Sequence, residues 1–139
     1  MTEVRHTGGC LCGTIRYSAV AEPHNVTHCH CRMCQRSVGA AIVTWMTFRS
    51  GEVTFAGRLS YHRSSDKGRR GFCPECGTSL TFTHKDQPDE VDVTVTSLDN
   101  PETVQPLDHI HTASQFGWMK PGDDLPRYPG ARPARHGHF

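Results

Sequence analysis

The sequence predicts a mainly β fold built of short antiparallel sheets with little helix, and three observations carry that reading. Thirteen Gly and nine Pro among 139 residues interrupt every candidate helix. Several short runs alternate apolar and polar side chains with the two-residue period of a strand. Seven cysteines fall in tight clusters, the spacing of metal staples, and staples suit a core in which hydrophobic residues are only 35%. The length fits one domain over residues 1–139. With 15 Lys+Arg against 14 Asp+Glu the formal net charge is +1, so nothing in the charge calls for a nucleic-acid or membrane partner. No apolar stretch nears the ~20 residues of a membrane span, and no signal peptide opens the chain. An odd number of cysteines cannot all pair. Together these place the chain in a reducing compartment, the cytoplasm, where clustered thiols serve as metal ligands or catalytic groups.

Taken in order, Gly8-Gly9-Cys10-Leu11-Cys12-Gly13 reads as a turn carrying two thiols. Over residues 14–20, Ile15, Tyr17 and Ala19 alternate with polar residues, a strand. A loop around Pro23 leads to His28-Cys29-His30-Cys31-Arg32-Met33-Cys34, and residues 35–37 suit a short helical turn before Gly39. Residues 40–48 form a β-rich run with Ile42, Val43, Trp45 and Phe48. Residues 52–55 and 58–63 suggest a hairpin around Gly57. Residues 69–72 enter Cys73-Pro74-Glu75-Cys76-Gly77, followed by a strand over 78–83. Residues 90–98 alternate Val91, Val93 and Val95 with acids and threonines, a half-buried strand. Six further prolines then punctuate an irregular wrap, and residues 131–139 are expected to be a disordered tail.

Cys73-Pro-Glu-Cys76-Gly77 has the spacing of a zinc knuckle: two intervening residues let both sulfurs face one ion, and the glycine allows the left-handed turn. A structural zinc takes four ligands, and Cys10 with Cys12 can supply the other two. The alternatives are reduced core cysteines or a Cys73–Cys76 disulfide. Zinc across this set would close about 60 residues of chain. Such binding is worth on the order of 10–16 kcal/mol in finger peptides.

Cys29, Cys31 and Cys34 remain, and three protein ligands with one open position is the pattern of a catalytic zinc. A sulfur shell favours zinc, and the exogenous ligand best suited to it is another thiol. Arg32 and Arg36 bracket Cys34 and suit the carboxylates of an anionic thiol such as glutathione, unless they are solvated surface charges. With both ions bound, the chain would sit at roughly −2 by formal ligand charge, so local arginines would have to draw such a substrate in. His30 points away from its neighbours in an extended chain; His28 would have to fold back to ligate. Arg70, Tyr61, Thr78 and His111 are further candidates to shape a pocket, whereas Trp45 and Trp118 read first as core.

The ordered set resembles the glutathione-dependent formaldehyde-activating enzyme family, which includes centromere protein V. The matching stretches are residues 8–13 with Arg16-Tyr17, residues 29–34 with Arg36 and Gly39, and residues 70–80; then residues 91–99, His109-Ile110-His111, Trp118 and residues 124–128. They span about residues 8–130. The resemblance implies the zinc-closed β-tent fold and two zinc sites: Cys10, Cys12, Cys73 and Cys76 structural, Cys29, Cys31 and Cys34 functional. It also implies a carbon–sulfur lyase that joins glutathione to formaldehyde as S-hydroxymethylglutathione. The competing reading is a zinc-stapled module that carries a thiol or binds a protein partner without catalysis. DNA binding finds no basic tract beyond Arg127, Arg132 and Arg135.

Overall fold

Strand-forming runs dominate the computed structural model, which describes residues 3–133. In chain order the elements are β1 (His6–Gly9), β2 (Arg16–Ala19), β3 (Asn25–Cys29), α1 (Arg32–Val38), β4 (Val43–Arg49), β5 (Val53–Ala56), β6 (Ser60–Arg63), β7 (Gly68–Phe72), β8 (Ser79–His84), β9 (Glu90–Thr94) and β10 (Asp108–Ile110). The fold is mainly β, with two sheets among the described residues. A small one runs β1-β2-β5 and a large one β10-β3-β4-β9-β8-β7-β6. No helix there is long and apolar enough to cross a membrane.

Alternation explains how the sheets meet. On β4, Met46 and Phe48 join Val91, Val93, Ile15, Tyr17 and Ala19 in the core between the two sheets. Val43 and Trp45, one residue out of phase, face the other way and pack with Cys29, Cys34, Phe82 and Ile110. The large sheet is therefore covered on both faces. That corrects the expectation for β9, whose five residues are all buried. Asp92 lies on the far face and accepts a hydrogen bond from the Thr47 hydroxyl, so the acid of an alternating run sits in the interior with a partner.

The hairpin expected around Gly57 does not form. β5 pairs with β2, Phe55 opposite Tyr17, while β6 pairs with β7, His62 opposite Arg70. Gly57, at φ 95°, carries the chain from one sheet to the other so close to residue 14 that a Cβ would lie 2.6 Å from the Thr14 carbonyl oxygen. A turn signal marks a reversal and leaves pairing to the core: Phe55 packs its ring on Tyr17 at 5.3 Å.

Three strands lie where loops were expected. β1 alternates in burial but ends in two glycines that read as a turn, and β3 carries buried residues on both faces and so shows no period. β10 pairs with β3 in parallel, an exception in otherwise antiparallel sheets. The wrap after it is tied down: the Tyr128 N–H donates to the His109 carbonyl at 2.9 Å, and the Arg132 guanidinium pairs with Asp108 and Asn25 in the interior. Of the expected disordered tail, residues 134–139 lie outside the described residues.

Candidate functional site

The four thiols of Cys10, Cys12, Cys73 and Cys76 converge, with all their sulfurs within 4.8 Å of one another. Cys10 lies 3.6 Å from Cys12, and Cys12 lies 3.9 Å from Cys73 across 61 positions of sequence. A tetrahedral zinc with bonds of about 2.3 Å separates its sulfurs by about 3.8 Å, so the cluster has the dimensions that ion requires. Gly77 takes φ 78°, and its N–H donates to the Cys73 carbonyl at 2.8 Å, the local fold-back of a knuckle. The Ile15 N–H points at the Cys10 sulfur at 3.2 Å. Thr78 joins the two pairs: its hydroxyl lies 3.2 Å from the Cys76 sulfur and accepts the Leu11 N–H at 3.1 Å. Hydrogen bonding by Thr78 draws the Cys76 thiol down to about 5, towards the thiolate that a metal takes. All seven cysteines are thiols, none bridged.

The second group sits where β3 gives way to α1. Cys29 ends the strand, Cys31 precedes the helix, and Cys34 lies one turn into it, with Cys29 and Cys34 buried and Cys31 half-buried. The Cys31 N–H approaches the Cys29 sulfur at 3.5 Å. The three sulfurs do not meet as closely as the first four, which among the described residues are the one group of donors that converges so tightly. They still feel one another. Interaction with the Cys31 and Cys34 thiols, then burial, pushes Cys29 up, and hydrogen bonds with Cys29 and Cys34 pull Cys31 down. The donor set, three soft sulfurs with one at the surface, suits zinc with a position left for an outside ligand.

Arg70 enters this site from the far side. Its two Nη atoms lie 3.6 and 3.5 Å from the Cys34 sulfur, its Nε donates to the Ser64 hydroxyl at 3.1 Å, and its guanidinium rests 4.8 Å from the centre of the Phe82 ring. The residue is 6% exposed. Hydrogen bonding with Cys29 and the Arg70 cation both favour the Cys34 thiolate, but the Cys31 thiol and burial outweigh them and the group stands above its ordinary value.

Two clefts meet beside Arg70, and none of Cys29, Cys31 and Cys34 lines either of them. One of about 770 Å³ is lined in part by Cys10, Cys76, Thr78, Val38, Thr44 and Asp99. The other, about 340 Å³, is walled by Trp45, His62, Arg70, Phe72 and Thr81. They share Ser37, Gly77 and Ser79, so one groove runs from the four-thiol cluster to the Arg70 that holds Cys34.

The other expected residues separate. Arg32 bonds Gln35 and lies over Phe116, Arg36 is exposed in the last turn of α1, and neither lines the two clefts. His28 bonds Thr44. Trp45 is core, as read, with one edge on the smaller cleft; Trp118 is instead 74% exposed and stacks on Phe116. Tyr61 carries Arg69 on its ring, and His111 sits in the left-handed region at φ 54°. A chain that sequence reasoning missed runs His30 Nε2 to His109 Nδ1, 2.9 Å, then His109 Nε2 to Asp123, 2.9 Å. Burial lowers His30 to about 4, and the hydrogen bond with His109 lowers Asp123 to about 2. The only signal was the recurrence of His109 in the family-like stretch, because its partners lie 79 and 14 positions away.

A family model described as glutathione-dependent formaldehyde-activating enzyme matches residues 5–114. The chain belongs to this family. Within it stand both cysteine groups, Arg70 and His109. A protein of Schizosaccharomyces pombe named as an uncharacterized lyase is 28% identical over 79 residues, 57% of this chain and 58% of that protein, so the match spans little more than half the relative's length. A crystal structure of a Rhodobacter sphaeroides protein superposes with a TM-score of 0.59 over 74% of this chain and 98% of that one, at 22% identity, a likeness of fold.

Proposed function

We propose that this protein is a zinc-dependent carbon–sulfur lyase acting on the adduct of a small thiol and an aldehyde, glutathione and formaldehyde being the family precedent. The carrying observation is the division of the thiols: four close on one another, while three stand apart beside a groove, one half-exposed and one held by a buried arginine. Cys10, Cys12, Cys73 and Cys76 would hold a structural zinc, and Cys29, Cys31 and Cys34 a functional one. Bound there, zinc supplies a Lewis acid that lowers the pKa of an incoming thiol.

The chain's own residues do the rest. Arg70 orients the Cys34 sulfur and offsets the charge of the three thiolates. Burial of Cys29 and Cys34 keeps water from two of the three sulfurs and leaves the Cys31 side open. The larger cleft has room for the body of a tripeptide thiol, and Arg36, exposed on the helix beside it, together with Arg32 would meet carboxylates that reach past its rim. The thiol's sulfur then attacks the carbonyl carbon, or leaves it in reverse. We place the whole chain in one domain and in a reducing compartment, in keeping with seven unbridged thiols.

Zinc stoichiometry by elemental analysis, with formaldehyde consumption in the presence of glutathione, tests this. Two zincs per chain in the wild type, one in Cys34→Ser, and consumption only in the former are expected. A chain that holds one zinc in every state, with glutathione changing neither metal content nor consumption, would instead be a zinc-stapled module without this activity.

A further inference from the structure

The smaller cleft is the wrong size and charge for a one-carbon substrate. A one-carbon fragment needs little more room than a water molecule, whose share of liquid volume is about 30 Å³, whereas this cleft is about 340 Å³. Its wall carries a guanidinium that is 6% exposed, and no Asp or Glu lines it. A guanidinium has five N–H donors. One goes to Ser64 and one from each Nη to Cys34, which leaves two. With both Nη groups turned to one sulfur, the two spare N–H groups lie one on each flank of the guanidinium, and a buried cation with a spare donor on the wall of a cleft suits one oxygen of a carboxylate. His62 stands directly opposite Arg70 across the β6–β7 pair, so both side chains rise from the same face and both line the cleft. Hydroxyls of Ser37, Ser79 and Thr81 complete a polar wall, while Trp45 and Phe72 supply an apolar one.

We infer that this cleft is a carboxylate-accepting subsite for the aldehyde-derived half of the adduct. The carbonyl substrate is thus an acid-bearing aldehyde of the glyoxylate type. The inference rests on the reading of the cysteine trio as the thiol site: none of the three cysteines lines the cleft, and Arg70, which lines it and touches Cys34, is what joins the two. In the forward step the thiol's sulfur bonds the aldehyde carbon, the C=O π bond becomes a hydroxyl, and the thiol's proton ends on that oxygen. The reverse returns both, and no oxidant is needed. The carboxylate is unchanged and serves only to orient the carbon.

Inert thioethers test this without turnover. Zinc-loaded protein is titrated calorimetrically with S-carboxymethyl and S-methyl derivatives of glutathione and of 2-mercaptoethanol. We expect the carboxymethyl compound to bind about ten-fold or more tightly than its methyl counterpart, the worth of one charge-assisted contact. That preference should vanish in Arg70→Gln and fall in His62→Phe, whose exposed position spares the fold should the Arg70 variant fail. Equal binding of the carboxymethyl and methyl compounds in the wild type, binding of none of the four, or a preference that survives in both His62→Phe and Arg70→Gln, overturns the subsite and leaves Arg70 as a counter-ion to Cys34. A preference seen on the mercaptoethanol pair, with neither glutathione derivative bound, keeps the subsite and removes glutathione as the thiol.

Discussion

Thr78 shows how much one side chain does in the four-thiol cluster. Its hydroxyl contacts the Cys76 sulfur, takes the Leu11 N–H and so binds one knuckle to the other. The cluster itself carries the first expectation: Cys73→Ala leaves three sulfurs, and the variant should lose one zinc per chain and most of its soluble yield, read by elemental analysis and expression. An unchanged melting temperature would count against a structural ion. Tyr17 carries the second. Burial raises its hydroxyl to about 12, and the group is 3% exposed with a 2.7 Å hydrogen bond to Ser97. Because the folded state keeps this proton where the unfolded chain, near pH 10, gives it up, the contribution is whole below pH 10 and drains away as pH climbs towards 12. Tyr17→Phe should flatten that alkaline slope. Ser97 still donates to the Thr94 carbonyl, so the cost at neutral pH should stay near 1 kcal/mol. Denaturant unfolding at stepped pH decides it.

At the scale of elements, α1 is short and depends on its neighbours. Gln35 is 3% exposed; its amide donates to the Ala41 carbonyl at 3.1 Å and the Ser114 carbonyl at 3.3 Å. Thus Gln35 fastens the helix that carries Cys34 to the segment that carries Phe116. Gln35→Ala strips both carbonyls of a donor and should cost about 1–3 kcal/mol. Hydrogen exchange should rise across residues 112–118 while β4 stays protected; equal protection in both proteins would show that the tether is idle. Element identity was partly legible. Alternation in residues 14–20 and the β-branched run at 40–48 became β2 and β4, and Gly39 did end a helix. Strands β3 and β10 were hidden because their residues are buried on both sides and so lack a period.

The molecule as a whole is held by long-range ties. Asp108 and Arg132 form an interior ion pair, their side chains 4% and 7% exposed, and Thr27 adds a 2.6 Å hydrogen bond to Asp108. Arg132→Ala should cost about 3–5 kcal/mol by leaving a buried carboxylate unpaired. That corresponds to a fall in melting temperature of about 10–20 °C at this chain length. Asp108→Ala added to it should recover part of the loss, since burying neither charge is cheaper than burying one. If the single variant melts with the wild type, the wrap after β10 does not contribute to stability. Chelation of zinc should act on a larger scale, opening the 61-position loop between Cys12 and Cys73 and unfolding the domain in one transition.

Spacing pointed to Cys10, Cys12, Cys73 and Cys76 as one ligand set, because a two-residue gap ending in glycine suits a metal knuckle, and the structure brings their sulfurs together as a group that could hold a metal ion. Composition and period settled that the chain would be built of short strands. Which strand lies beside which was left to the core, as β5 and β6 show by parting company across Gly57. So was the arrival of Arg70 at Cys34, from 36 positions away, and of His109 at His30. Local pattern encodes what a segment prefers; long-range neighbours are chosen by the burial of many side chains at once.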